Sequence, residues 1–282
     1  MDSGIIFLDK EVGMTSRYVD NAIMKRFNTR KVGHLGTLDP FASGLLIIGI
    51  NKGTKALSYL DDSKKSYVAS LVLGKKSTTL DIDGEISDAG AIPSLTEEDI
   101  KTVLSSFLGE SEQLPPMTSA IKINGTPLYK LAHQGKEIER KKRKVTIYSI
   151  NLISYKDDVI VFSTTVSRGT YIRVLGADIA KKLGTDGYLS SLRRSAISTY
   201  LLSLSHKLGE LDENSIVDPT IYINTMKHLE VDEEGRSYAM TGKSMCLDED
   251  YGERILLTYK GSALAVYKLL GKGTYAPERG LF

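Results

Sequence analysis

One short segment combines a carboxylate with residues that would hold it at the tip of a loop. The segment runs from Gly33 to Gly44, reads GHLGTLDPFASG and has Asp39 near its centre. Its glycines allow close backbone approach and positive φ angles, and Pro40 stiffens the turn directly after the carboxylate. A loop of this kind would hold a nucleophilic carboxylate where a substrate can reach it. An aspartate before a proline is also typical of an ordinary turn, so both interpretations stay open at this point.

The elements that must position this loop are those of an α+β protein. An apolar strand from Gly4 to Leu8 precedes a helix that Thr15 or Ser16 caps, and an apolar strand from Leu45 to Ile50 follows the loop. Further elements are predicted as a strand at 65–73, a helix from Thr96 with Asp99 completing an approximate capping box, a hairpin around Asn124-Gly125 followed by a helix, strands over 145–166, a helix over 171–183 ended by Gly184, and an extended segment that includes Arg193 and Arg194. The strands and helices are interleaved but do not alternate regularly along the chain. This order favours a largely antiparallel sheet.

The last part of the chain differs in composition from the rest. Residues 203–224 mix acidic and polar side chains with Pro219, and short strand-like runs follow at Arg254 to Tyr259 and Ala263 to Leu269. We predict one domain over residues 1–220, which includes a linker from about residue 203, and a small β-rich domain over residues 221–282.

Composition excludes several classes of protein and site. The 282 residues, 41% of them hydrophobic, are enough for a substantial domain and a small one, and no apolar run approaches the ~20 residues that span a bilayer. We therefore expect a soluble, cytoplasmic protein. The single cysteine excludes an internal disulfide, the histidines lack zinc-ligand spacing, and the DIDG segment at 81–84 lacks the other ligands of a calcium loop. With no phosphate-loop spacing either, we expect no metal and no cofactor.

Two basic clusters make the chain a candidate for binding a polyanion. One comprises Lys25, Arg26, Arg30 and Lys31, and the other extends from Lys136 to Lys144. Short charge runs are usually solvated surface, so charge permits RNA binding without establishing it.

The segment around Asp39 resembles the catalytic motif of the TruB family of tRNA pseudouridine synthases. Further matches follow in the family's order, namely KSYVA at 65–69, LG at 73–74, DIDG at 81–84, PPMTSAIK at 115–122, LY at 128–129, Arg143, SRGTYIR at 167–173 and LRR at 192–194. One departure is visible, because Lys10 is followed by Glu11 where the family's opening motif usually has a proline.

The resemblance implies a fold and a reaction. The fold is an α+β pseudouridine synthase domain on a mixed, mainly antiparallel sheet, with a C-terminal PUA-like β-barrel that helps to hold tRNA. The reaction converts the T-loop uridine at position 55 of tRNA to pseudouridine, which detaches uracil from C1′, turns it and rejoins it through C5. Because uracil leaves as a delocalised anion, a single carboxylate is sufficient, whereas most glycosidases need two.

The resemblance also assigns roles to individual residues. Asp39 is the nucleophile or charge stabiliser, Arg173 is its ion-pair partner, and Tyr67 stacks on the uracil. The implied substrate-binding residues are His34, Tyr171, Leu192 and Lys10, and the implied contacts to the RNA backbone are Lys141, Lys142 and Arg143. Without the motif, Arg173 would be interpreted as a surface residue, Tyr67 as a packing residue and His34 as a structural hydrogen-bonding residue.

Two other functions stay open from the sequence. The protein could chiefly bind and fold tRNA, with modification secondary, or it could be a related synthase for another RNA uridine, including one that needs a guide RNA and protein partners. The compact catalytic segment and the lack of long basic tails favour a stand-alone enzyme. We expect a monomer that acts on the T arm of tRNA and needs no protein partner.

Overall fold

The chain divides into two compact units. The computed structural model describes residues 3–119, 122–123, 125–128, 131 and 138–281. The first unit contains residues 1–40, 44–62 and 199–282, and the second contains residues 41–43 and 63–198. Both units include residues from the domain expected over 1–220, so the domain boundary at residue 220 stays a prediction.

The first part of the first unit is built around one buried strand. Its elements are β1 (Gly4–Lys10), α1 (Ser16–Arg26), β2 (Val32–Leu35), β3 (Ala42–Ile50) and α2 (Gly53–Ala56), although the first two residues of β3 are assigned to the second unit. Strand β3 pairs antiparallel with both β1 and β2. The Thr15 hydroxyl caps α1 by accepting a hydrogen bond from the Tyr18 N–H, which confirms the predicted helix start.

One strand of this part differs from the sequence prediction. The segment from Gly33 to Gly44 was expected to be a loop, but Gly33 to Leu35 and the preceding Val32 pair with Ile47–Ile50 of β3 as strand β2. With its glycines, the segment shows no alternation of apolar and polar residues that would predict a strand. Its strand conformation depends on the pairing with β3.

The second unit is an antiparallel sheet with helices packed on it. Its elements are β4 (Lys64–Leu73), β5 (Lys75–Ser77), β6 (Ile86–Asp88), α3 (Glu97–Ser105), β7 (Gly109–Gln113), β8 (Lys122–Ile123), β9 (Thr126–Pro127), β10 (Arg143–Lys156), β11 (Val159–Ser167), α4 (Ile172–Lys182) and β12 (Gly187–Ile197). The main sheet has the order β12-β4-β11-β10-β7, and each of its ladders is antiparallel. Helix α4 lies close to the sheet, since a Cβ atom at Gly176 would lie 2.8 Å from the Leu189 side chain.

Local sequence signals predicted much of this unit. Strand β4 alternates buried and less buried residues along its length, as expected. Thr96 and Asp99 form the predicted capping box of α3, and the hydrogen bonds from the Thr96 hydroxyl and backbone N–H lower the pKa of the Asp99 carboxyl. The backbone pairing of β8 with β9 confirms the predicted hairpin. Asn124 and most of the helix expected after the hairpin lie outside the described residues.

The C-terminal part of the first unit contains a small β-rich fold. After β13 (Tyr200–Leu201), which is not part of it, this fold consists of β14 (Lys227–Glu230), α5 (Glu233–Thr241), β15 (Met245–Cys246), β16 (Arg254–Tyr259), β17 (Ser262–Gly271) and β18 (Thr274–Gly280). Five strands form a sheet in the order β14-β16-β17-β18-β15 around a core that includes Ile255, Leu257, Tyr267 and Tyr275. This sheet is the PUA-like β structure that the resemblance predicts.

The segment expected to be a linker is part of the first unit. The N–H of Asp9 donates to the carbonyl of His206 at 2.9 Å, and the backbones of Ile5 and Val217 exchange two hydrogen bonds of 2.9 Å. These bonds fix residues 203–224 along β1, because they satisfy buried backbone groups of that strand. Among the described residues, no helix is long and apolar enough to cross a membrane.

Candidate active site

Asp39 lies in the first unit, in the loop between β2 and β3. Its side chain is partly buried, the preceding Leu38 is buried, and the following Pro40 is exposed. The backbone at Gly36 has a φ of +72°, a conformation that glycine adopts without steric cost. Ser16, at the start of α1, donates from its hydroxyl to the Leu38 carbonyl at 3.1 Å and accepts from the Leu38 N–H at 3.0 Å. The helix start therefore fixes the residue directly before Asp39.

Lys10 fixes the residue directly after Asp39. The lysine is only 1% exposed, and its Nζ donates to the carbonyls of Glu11 at 2.9 Å, Met14 at 2.7 Å and Pro40 at 3.4 Å. A buried ammonium group needs such acceptors, because the cost of removing it from water is otherwise large. The expected role of Lys10 in binding substrate stays a prediction, while these contacts join the 11–14 segment to the Asp39 loop.

His34 contributes a third attachment of the loop. Its Nδ1 lies 3.0 and 3.1 Å from the two carboxylate oxygens of Asp20, a buried residue of α1, and its Nε2 lies 3.2 Å from the Thr37 hydroxyl. The imidazole thus joins α1 to a residue two positions before Asp39. A direct contact of His34 with substrate stays a prediction.

Arg173 lies in the second unit, in the first turn of α4, with its side chain 3% exposed. Its interpretation as a surface arginine is therefore wrong. Nη1 donates to the Thr79 carbonyl at 2.9 Å and to the Thr118 hydroxyl at 2.7 Å, and Nη2 donates to the Thr118 carbonyl at 2.9 Å. Nη1 also lies 3.2 Å from a carboxylate oxygen of Asp81. These groups hold the guanidinium in one orientation inside the unit.

In the sequence, Asp81 belongs to a calcium-like pattern and to the family match at 81–84, but neither gave it a role of its own. The structure instead makes it a buried partner of Arg173, and its carboxylate also accepts hydrogen bonds from the Thr79 hydroxyl and the Asp83 N–H. Among the described residues, no three His, Cys, Asp or Glu side chains are grouped so that they could hold a metal ion.

Replacing Asp81 with asparagine is expected to lower the free energy of unfolding by about 3 kcal/mol, because it removes one charge of a buried pair and leaves the other. Urea unfolding of the purified protein measures this change. The matched control is Asp83→Asn, which removes an exposed carboxylate two residues away and should change the free energy by less than about 0.5 kcal/mol. Equal stabilities of the two variants would contradict a structural ion pair.

Tyr67 and Leu192 lie side by side on one face of the second unit's sheet. Tyr67 on β4 is opposite Arg194 on β12, and Ala69 is opposite Leu192. Directly opposed residues of antiparallel strands project to the same face, so Tyr67 and Leu192 are diagonal neighbours. Both are buried, and the opposed Arg194 is 1% exposed. The sheet register therefore groups two of the expected pocket residues with a buried cation.

Comparison with known proteins identifies the family. A family model described as TruB family pseudouridylate synthase (N terminal domain) matches residues 24–172. The chain belongs to the TruB family. It is therefore a pseudouridine synthase, an isomerase that converts uridine in RNA to pseudouridine.

Relatives and solved structures agree with this membership. A protein named tRNA pseudouridine synthase B from Geobacter sulfurreducens is 36% identical over 254 residues, covering 87% of this chain and 84% of the relative. A protein of the same name from Syntrophotalea carbinolica is 35% identical over 294 residues, covering 98% and 93%. The crystal structure of a Cbf5-Nop10-Gar1 complex contains a similar chain, with a TM-score of 0.73, 22% identity and coverage of 99% and 85%. This last likeness confirms the predicted α+β fold.

The TruB-family chain exposes the basic residues expected to contact RNA. Lys141 and Lys142 precede β10, Arg143 is its first residue, and all three side chains are exposed. Lys136, at the start of the cluster, lies outside the described residues. Tyr171 is the N-cap of α4, and its backbone is bound by the side chain of Gln113.

Several supporting residues of this TruB-family site were missed from the sequence. Ser16 and Asp20 are polar residues four positions apart on the buried face of α1, and this spacing was an available signal. Thr118 and Gln113 gave no local signal, because their partners are 55 and 58 residues away in the chain.

Proposed function

We propose that this chain isomerises the T-loop uridine at position 55 of tRNA to pseudouridine, with Asp39 as the nucleophile. The observation that carries the proposal is the anchoring of the Asp39 loop. Buried contacts from Ser16 and Lys10 hold the residues on both sides of this carboxylate. The choice of tRNA as substrate is supported by relatives named tRNA pseudouridine synthase B.

In the proposed reaction the target nucleotide leaves its stack, which costs a few kcal/mol and is easier in a loop with a weakly held base. As the bond between C1′ and N1 breaks, the Asp39 carboxylate stabilises the positive charge on the sugar and bonds to C1′. The uracil anion turns and its C5 bonds to C1′, which releases the carboxylate. N1 then takes up a proton and C5 loses one, so the product has the same atoms as the substrate.

Arg173 is the proposed ion-pair partner of Asp39. A guanidinium has five N–H donors in a planar fork, so the proposal has Arg173 bind the Asp39 carboxylate in addition to Thr79, Thr118 and Asp81. The partner cation would keep Asp39 ionised. Tyr67 would stack on the uracil, while Tyr171 and Leu192 would line the pocket.

Substrate selection is tested with a short RNA hairpin that contains only the T stem and loop. We expect the hairpin to be modified, because the enzyme would read the shape of this loop and its extruded bases rather than a long sequence. The control hairpin has cytidine at the target position and should acquire no pseudouridine. Modification of full tRNA without modification of the hairpin would place the required contacts outside the T arm.

The exposed basic residues are proposed to bind the RNA backbone. Neutralising Lys141, Lys142 and Arg143 together should weaken tRNA binding and reduce the logarithmic salt slope of binding by about 0.9 for each phosphate that the variant no longer neutralises. Single-turnover rates at saturating tRNA should stay within about twofold of wild type, because no reacting group is changed.

The matched control for this triple variant is Lys156→Gln, at the opposite end of β10, where the lysine side chain is 84% exposed. This variant should bind tRNA with the wild-type salt slope. A collapse of the single-turnover rate in the triple variant, with affinity and salt slope unchanged, would show that the basic run supports the active site instead. The proposal includes a monomeric, cytoplasmic enzyme that needs no protein partner.

A further inference from the structure

Gln113 is a buried amide that binds the backbone of one distant residue at two points. It ends β7, is 7% exposed and lies 58 residues before Tyr171. Its Nε2 donates to the Tyr171 carbonyl at 3.0 Å, and its Oε1 accepts from the Tyr171 N–H at 2.7 Å. The backbone of one residue therefore binds both the nitrogen and the oxygen of this amide.

Tyr171 needs such a partner because it begins a helix. It is the N-cap of α4 but its side chain makes no capping hydrogen bond. Its carbonyl also accepts the helical hydrogen bond from the Leu175 N–H at 3.1 Å. The N–H of the N-cap residue is one of the four N–H groups that a helix leaves unpaired, and the Gln113 oxygen satisfies it from outside the helix, as the Glu or Gln of a capping box does from within.

The segment that follows Gln113 binds the same helix turn a second time. Thr118 accepts hydrogen bonds from the Arg173 guanidinium through its hydroxyl and its carbonyl, at 2.7 and 2.9 Å. Pro115 and Pro116 stiffen the chain between the two attachments. The 113–118 segment therefore holds both the backbone at the start of α4 and the functional group of Arg173.

We propose that Gln113 is a positioning residue for the isomerisation, which sets the placement of Tyr171 and Arg173 through the start of α4. This inference rests on the proposed roles of those two residues. The position requires one donor and one acceptor at the same time, and an amide supplies both without a charge.

This requirement distinguishes positioning from simple space filling. In a Gln113→Glu variant, an ionised carboxylate can accept from the Tyr171 N–H but cannot donate to the Tyr171 carbonyl. The protonated carboxyl has an O–H donor and restores the pair. Burial favours this neutral form, so the defect should be relieved as the pH falls. Gln113→Leu keeps similar volume but lacks both groups at every pH.

The test measures single-turnover rates at saturating tRNA from about pH 8 to about pH 5.5 for both variants, with wild type at each pH. Relative to wild type, we expect Gln113→Glu to be at least about tenfold slower at the high pH and to recover towards wild type at the low pH. Gln113→Leu should be slow throughout, and the exposed neighbour variant Glu112→Gln should match wild type. Rates within twofold of wild type for both Gln113 variants, or a Gln113→Glu defect that does not change with pH, would overturn the proposal.

A second measurement keeps the test independent of catalysis. Backbone amide hydrogen exchange at Tyr171 and in the first turn of α4 should be at least about tenfold faster in Gln113→Leu than in wild type, with exchange in the main sheet unchanged. Unchanged exchange at Tyr171 would overturn the proposal. Because exchange needs no RNA, it tests Gln113 even if wild-type protein fails to modify tRNA, an outcome that would reject the proposed function alone.

Discussion

The Asp39→Asn variant is expected to show no multiple turnover on tRNA, while its Kd for tRNA stays within about tenfold of the wild-type value, or ~1.4 kcal/mol. Asparagine preserves the shape of the side chain, and the backbone contacts of the loop made by Ser16 and Lys10 do not involve the Asp39 side chain. The amide cannot carry the negative charge or form the glycosyl bond that the proposed reaction needs. Binding and chemistry should therefore separate in this variant.

Glu11→Gln is the matched control for Asp39→Asn. It removes an exposed carboxylate from the same unit and leaves intact the Glu11 carbonyl that accepts from Lys10. Its turnover should equal that of wild type. Measurable multiple turnover by Asp39→Asn, in a preparation free of wild-type enzyme, would reject Asp39 as the nucleophile.

The Arg173→Lys variant is expected to lose at least about a hundredfold in single-turnover rate at saturating tRNA, although the positive charge is retained. Arg173 uses separate nitrogen atoms to bind two groups of Thr118, and this planar arrangement also permits two-point binding of a carboxylate. A lysine offers a single nitrogen, so it cannot hold Thr118 and orient Asp39 together.

The control for this second variant is Arg236→Lys in α5, where the arginine forms an exposed ion pair with Glu233 and should tolerate the change. Circular dichroism and thermal unfolding establish that both variants are folded. A single-turnover rate near wild type in folded Arg173→Lys would contradict the role of the guanidinium fork.

The sequence predicted those features that depend on neighbouring residues in the chain. The alternation in β4, the capping box of Thr96 and Asp99, and the cap of α1 at Thr15 or Ser16 each arise within a few residues. Each is confirmed, with Thr15 as the cap. The Asp39 loop was located for the same reason, since its glycines and Pro40 act locally on the backbone.

The features that the sequence did not predict depend on distant partners. Arg173 was expected near Asp39, but its contacts with Asp81 and Thr118 could not be inferred from spacing. Residues 203–224 have the composition of a linker, yet their backbone bonds to β1 make them part of the first unit. The local sequence is compatible with many partners for a polar side chain or an edge strand. The folded chain as a whole determines which of these pairings forms.

Pseudouridine mapping on one unmodified tRNA transcript, treated with wild-type protein or with Asp39→Asn, decides whether this chain performs the proposed isomerisation. We expect one new pseudouridine at position 55 after wild-type treatment and none after treatment with the variant, at equal occupancy of the RNA. Modification at a different uridine would contradict the proposed target, and the same modification by both proteins would contradict the role of Asp39.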